Sequence, residues 1–169
     1  METRQDESKY RFVVDTMLGK MAKWLRIMGW DTIVAPLKTP DQIKSHVRDG
    51  RTVITRARKW HKIKGVVCLT ANNTDEQLRE LFSILNLGYD PDLFLARCVY
   101  CNQELSECSR EYAHGKVPEY VWNTVREFFT CPSCGKIYWQ GTHVSRMYDH
   151  IKNWLNIEIT KKGGIDHDG

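Results

Sequence analysis

Cysteine spacing constrains the fold of this chain more than any other feature. Cys98-Val-Tyr-Cys101 and Cys131-Pro-Ser-Cys134 are two C-x-x-C pairs separated by the 29 residues 102–130. Two such loops can each aim two thiolates at one point, building the tetrahedral four-sulfur cage that Zn2+ prefers. Pro132 stiffens the second loop, and Gly135 permits the tight turn behind its last sulfur. Two disulfides, or four unrelated buried thiols, are the competing readings. The polar N-terminus, which carries both charge signs, resembles neither an export signal nor a transit peptide. A reducing compartment is therefore expected, where metal ligation is the more natural use of cysteine. Four sulfurs leave no open coordination position, so the expected zinc is structural and the function lies elsewhere. Cys68 reads as a small buried side chain in an apolar strand, and Cys108 as a spare thiol.

The 169 residues suffice for one ordinary domain or two small ones. No apolar run of about 18 residues occurs, so no membrane span is expected. The expected location is intracellular and cytoplasmic, with the nucleus as the alternative. Tyr10–Val14 reads as a short strand ending at Asp15, followed by a helix over Gly19–Met28 that Gly29 stops. A second strand covers Thr32–Ala35. Thr39 and Pro40 open a helix to about Arg48 as N-cap and first helical residue. Arg51–Thr55 and Gly65–Leu69 are further strands, the latter apolar throughout and expected to be central. Thr74-Asp-Glu-Gln77 reads as a capping box before a helix that buries Leu78, Leu81, Phe82 and Leu85. Strands alternating with helices imply a parallel sheet with helices on both faces. The expected organisation is a disordered stretch over 1–9, an α/β domain over 10–90 and a small zinc ribbon over 91–147. A short helix, Met147–Leu155, and a flexible tail complete it over 148–169. Phe128-Phe129 and Ile137-Tyr-Trp139 suggest a hairpin through the second cysteine loop.

In parallel sheets, chemistry gathers beyond the carboxyl ends of the strands. Asp15 ends the first strand and Thr55-Arg56-Ala57 the third, so both should face one crevice. Asp41 opens the helix after the second strand and belongs to the same end. Net charge is only +4, but Lys38–Lys64 carries nine Lys/Arg against two Asp, a field suited to nucleic acid. Each of these residues also has a plainer reading. Asp15 can cap a turn, and Asp41 can complement a helix dipole. Lys20, Lys23 and Arg26 can be the solvated side of an amphipathic helix. Trp24 can pack on the zinc module, and Tyr138-Trp139 can be ribbon core.

The run Val13-Val-Asp-Thr-Met-Leu-Gly-Lys-Met-Ala-Lys-Trp-Leu-Arg-Ile-Met-Gly-Trp-Asp31 resembles the opening of the Mut7-C RNase domain, a PIN-like fold with a zinc ribbon. The resemblance continues through Arg51–Arg56, Glu76–Glu80, Arg97–Asn102 and Phe128–Trp139, and ends near Met147. It implies an RNA-directed α/β domain whose carboxylates hold Mg2+ or Mn2+ for phosphodiester hydrolysis. Asp15 matches the first acid of the family pattern, Asp31 the acid of its G-[YF]-D element, and Asp41 the acid opening the next helix. The family's T-R-D element stands here as Thr55-Arg56-Ala57, one carboxylate short, with Asp75 a candidate to compensate. Expected RNA contacts are Lys20, Lys23, Arg26, Arg56, Arg58, Lys59, Lys62 and His143, the last in a segment close to the family's W-x-G-[ST]-H. Trp60 and His61 could add base stacking. The expected function is that of an RNA-binding protein of the Mut7-C RNase type, a metal-dependent endoribonuclease weakened by Ala57. The alternative is an inactive PIN-like clamp on the RNA of a ribosome or another ribonucleoprotein. A protein-docking module is a third reading, against which steep salt dependence of RNA binding would argue.

Overall fold

The computed structural model describes residues 10–156; the disorder expected at 1–9 and the flexible tail expected at 161–169 lie outside the described residues. Four parallel strands, β1 (Arg11–Asp15), β2 (Asp31–Ala35), β3 (Thr52–Thr55) and β4 (Val66–Cys68), pair in the order β2-β1-β3-β4. Phe12, Val13 and Val14 are fully buried because β1 is central and covered on both faces. β4, expected at the centre, is an edge strand. Its apolar run has another cause: Val66 packs toward one face of the sheet and Val67 toward the other.

The alternation of side chains along β1 divides the core in two. Phe12 and Val14 face α1 (Gly19–Ile27), α3 (Thr74–Leu85) and α6 (Thr142–Leu155), where Met21, Leu25, Leu78, Leu81 and Ile151 close the larger cluster. Val13 and Val53 face the opposite side, against Ile43 of α2 (Pro40–Arg48) and Trp60. Thr39 caps α2 and Pro40 opens it as its sequence predicts, and Gln42 completes a capping box that was not expected there. Thr39 accepts from the Gln42 amide at 3.3 Å, and the Gln42 carboxamide accepts from the Thr39 amide at 3.2 Å. At α3 the cap is one residue earlier than expected. Asn73 Oδ1 accepts from the Glu76 amide at 3.0 Å, while Gln77 is buried and donates to the Ala71 carbonyl at 3.1 Å. Asparagine competes well with threonine for this position.

The last helix begins at Thr142, five residues before the expected Met147, and returns to the α/β body. Trp154 meets Trp24 edge to face at 4.6 Å, so Trp24 packs on α6 rather than on the zinc module. Before the ribbon, residues 93–97 cross the C-terminal end of α1. Gly29 has φ +94°, and a Cβ there would lie 2.3 Å from the Leu93 carbonyl oxygen, so only glycine fits. The ribbon pairs β5 (Ser106–Cys108), β6 (Phe128–Thr130) and β7 (Ile137–Tyr138) antiparallel, in that order. The β6–β7 hairpin matches expectation. β5 and the short helices α4 (Arg110–Ala113) and α5 (Glu119–Thr124) do not follow from the cysteine spacing; Ala113 of α4 and Val121 of α5 join Phe128 of β6 in the ribbon's small core. Among the described residues, no helix is long and apolar enough to cross a membrane.

Candidate nucleic-acid crevice and metal centre

At the carboxyl end of β1 the chain turns through Thr16–Leu18 into α1. Asp15, only 5 % exposed, stands at that turn. Its Oδ2 accepts from the Thr55 hydroxyl at 2.8 Å and its Oδ1 from the Thr16 hydroxyl at 3.3 Å. Thr55 Oγ1 in turn accepts from the Ala57 amide at 3.1 Å, so β1 and β3 are tied together at their carboxyl ends. Beside this knot lies a cavity of about 590 Å³, lined by Met17, Gly19, Lys20, Arg56, Asn73 and Gln77 among others. The first turns of α1 and α3 both border it, and helix starts present unsatisfied N–H groups and positive dipole ends. Arg56 donates from Nη2 to Asn72 Oδ1 at 2.7 Å, while its Nε is buried without a partner. Glu80 fixes the rim, accepting from the amides of Thr70 and Ala71, each at 3.0 Å. Burial would raise the Glu80 pKa, but these backbone donors, the Thr70 hydroxyl and nearby Arg56 hold it below the ordinary value.

The expected acids do not converge. Asp41 lies exposed in the first turn of α2, where it complements the dipole, and Asp75 is exposed in the first turn of α3. Asp31 is at the wrong end of the sheet for this crevice: it pairs with Arg11 at the start of β1, whereas Asp15 pairs with Ala35. The two acids are thus separated by a strand length, about 13 Å. Asp31 is instead a clasp. It accepts from Arg51 at 3.0 and 3.1 Å, from Arg11 at 3.0 Å and from Asn102 at 2.7 Å. Burial would raise its pKa, but these donors outweigh it and hold the carboxyl at about 2. Because the folded value is depressed, the stabilisation is complete above the ordinary value of about 3.9 and is lost as pH falls toward 2. Asp31→Asn is expected to lower stability at neutral pH by about 1–2 kcal/mol, less than the full shift because Arg11 is half exposed. Urea unfolding from pH 6 to pH 2 checks this: the gap between variant and wild type should close on acidification, and a constant gap would refute the ion-pair origin.

The expected RNA contacts also divide. Lys20 and Arg56 share the cavity wall, and Lys23 is exposed three residues further along α1. Arg26 turns inward and is 9 % exposed. It donates to the carbonyls of Thr32 at 2.8 Å, Val99 at 2.9 Å and Tyr100 at 3.1 Å, which removes it from the RNA set. Arg58, Lys59 and Lys62 are exposed on the crossover from β3 to β4, beside the α2 face and away from the cavity wall. Trp60 is core, 8 % exposed with Lys59 over its ring, so it offers no face to a base; His61 is exposed. His143 is exposed in the first turn of α6, edge-on to Trp139 at 6.1 Å. Asn72 and Asn73 carry no charge signal in the sequence, and Gln77 was expected only as a capping-box residue, so none was anticipated at the cavity. Asn102, next to a zinc ligand, escaped the sequence reading as well.

The sulfurs of Cys98, Cys101, Cys131 and Cys134 lie within 4.8 Å of one another, and Cys98 Sγ is 3.8 Å from Cys134 Sγ. A tetrahedron of Zn–S bonds of about 2.3 Å has edges of about 3.8 Å, so the donor set fits a structural zinc. Burial would raise the Cys98 pKa, but the Tyr138 hydroxyl and the amides of Cys101 and Tyr100 donate to its sulfur and bring it to about 7. Cys101 is pushed up to about 12, chiefly by its hydrogen bond with the Cys134 thiol. Among the described residues, this is the one group of three or more His, Cys, Asp or Glu close enough to share an ion. The carboxylates near the crevice therefore do not fit a preassembled Mg2+ or Mn2+ cluster.

No curated protein matches the chain. The family model of the Mut7-C RNAse domain matches residues 10–151. The match spans the parallel sheet, the crevice, the four-cysteine centre and most of the helix that returns to the body. The chain belongs to the Mut7-C RNase domain family, which implies RNA as its substrate.

Proposed function

We propose that this chain binds RNA in the crevice at the carboxyl ends of β1 and β3, and that its hydrolytic site lacks the carboxylate that the family pattern places at position 57. The observation that carries the proposal is the charge of the cavity. Lys20, Arg56 and the starts of α1 and α3 surround it, while Asp15 is the one buried acid of the neighbouring strand ends. Such a crevice attracts a phosphodiester and supplies little to hold a divalent metal against it. Where the family pattern places an aspartate, Ala57 presents a methyl group that packs on the apolar cluster beneath α2. A domain that holds RNA without turning it over suits a stable assembly. We therefore place its target among RNAs of ribonucleoproteins such as the ribosome.

The test pairs native and denaturing gels of labelled structured and single-stranded RNA in Mn2+. Wild type should bind in a salt-sensitive way and cleave little. Arg56→Ala and Lys20→Ala should each weaken binding of all sequences alike and lower the salt slope by about 1. Robust cleavage by wild type that disappears in Asp15→Asn would replace the clamp by a working nuclease. Salt-insensitive or absent RNA binding would remove the RNA reading altogether. Co-sedimentation with ribosomal particles, abolished by Arg56→Ala, would support the ribonucleoprotein assignment.

A further inference from the structure

Tyr100 lies between the ligands Cys98 and Cys101, yet the residue is 59 % exposed. Its backbone is held from both sides. The Tyr100 carbonyl accepts from Arg26 at 3.1 Å, and its amide donates to the Cys98 sulfur. Two ammonium groups approach the ring from separate elements. Lys23 Nζ of α1 is 5.5 Å from the ring centroid, and Lys136 Nζ, two residues beyond Cys134, is 4.6 Å from it. Neither lysine is in an ion pair among the described residues. Lys23 stands three residues, about 4.5 Å along the axis, from Lys20 in the cavity wall. Arg56, Lys20, Lys23, Tyr100 and Lys136 therefore form a path from the crevice, along α1, onto both cysteine loops.

Resting on the RNA reading above, we infer that single-stranded RNA leaving the crevice follows α1 and stacks one base on Tyr100, with Lys23 and Lys136 taking the flanking phosphates. An exposed aromatic face fixed by its backbone, flanked by cations without acidic partners, is the chemistry of sequence-tolerant stacking on single strands. The ammonium groups that now lie over the ring can swing to phosphate oxygens as a base takes their place. The ribbon thereby becomes part of the RNA site, and zinc contributes by holding Tyr100 in place.

The test uses the full zinc-loaded chain and fluorescent oligoadenylates of about three and about twelve nucleotides, lengths that fill the crevice alone or reach the cysteine loops. Tyr100→Ala should weaken binding of the longer probe about tenfold, with its salt slope unchanged and the short probe unaffected. Tyr100→Phe should bind as wild type does. Lys136→Ala and Lys23→Ala should each lower the salt slope for the longer probe by about 1. Zinc content of one ion per chain in each variant excludes a collapsed ribbon, and an ultraviolet crosslink from the longer probe to Tyr100, mapped by mass spectrometry, reports the contact directly. Unchanged binding by Tyr100→Ala while Arg56→Ala is impaired would overturn the stacking path and leave the crevice reading intact. Failure of wild type to bind either probe would overturn both.

Discussion

Stripping zinc with a chelator, or replacing Cys131 by Ser, is expected to unfold the ribbon and to lower the melting temperature of the α/β body by roughly 10 °C. The first effect follows from size. Ala113, Val121 and Phe128 are the ribbon's buried cluster, far too little apolar area to offset the entropy of ordering some fifty residues. Structural zinc sites contribute on the order of 10 kcal/mol, so little of the ribbon should survive without one. The second effect follows from Arg26. Two of its three hydrogen bonds end on the carbonyls of Val99 and Tyr100, inside the first cysteine loop. Asn102 Oδ1 also accepts from the Thr32 amide at 2.8 Å, and its Nδ2 donates to Asp31. Loss of the loop strands a buried guanidinium and loosens the Asp31 clasp, a cost of about 3 kcal/mol, which is roughly 10 °C for a chain of this length. Circular dichroism melts with and without chelator check this, alongside limited proteolysis of the ribbon. If the body melts at an unchanged temperature after zinc release, the Arg26 bonds do not couple the two parts.

The dependence of the body on a distant loop was not legible in the sequence, and the reason is geometric. Lys20, Lys23 and Arg26 look like one polar stripe because each is three residues from the next. Three residues turn an α-helix by about 300°, so each step drifts about 60°, and Arg26 lies a third of the way round from Lys20. Two of its three partners are carbonyls more than seventy residues away, which no local pattern reveals. Trp60 misled in the same way: a basic neighbourhood suggested a stacking platform, and the ring is part of the core beneath α2. Asp31 was nearer to legible. It precedes the apolar run Thr32–Ala35, and an acid that begins a parallel strand stands at the opposite end from one that closes it. By contrast, the parallel strands alternating with helices, the Thr39 cap and the cysteine centre are written in short-range spacing and could be read directly, whereas the order of the strands, with β4 at the edge, could not.

Ala57→Asp is the substitution expected to change the crevice most. Position 57 is joined to Asp15 through one hydroxyl: the Ala57 amide donates to Thr55 Oγ1, and that hydroxyl donates to Asp15 Oδ2. A carboxylate there would stand close to Asp15 and give a hard divalent cation two anionic ligands where it now has one. In Mn2+, cleavage of single-stranded RNA should rise about a hundredfold over wild type, and the gain should vanish when Asp15→Asn is added. Two further effects separate a rebuilt metal site from a general perturbation. Mn2+ should raise the melting temperature of Ala57→Asp and leave wild type nearly unmoved, since an ion that binds the folded state stabilises it by mass action. Without metal, the new negative charge near Arg56 should weaken RNA binding several-fold, because it opposes the field that attracts phosphate. The methyl group of Ala57 packs on the cluster beneath α2, so the variant should also lose about 1 kcal/mol of stability in metal-free buffer. If Ala57→Asp folds, gains no Mn2+-dependent stability and cleaves no faster, the missing carboxylate is not what separates this crevice from a hydrolytic one. The exposure of Asp41 on α2 would then be the deficiency to repair.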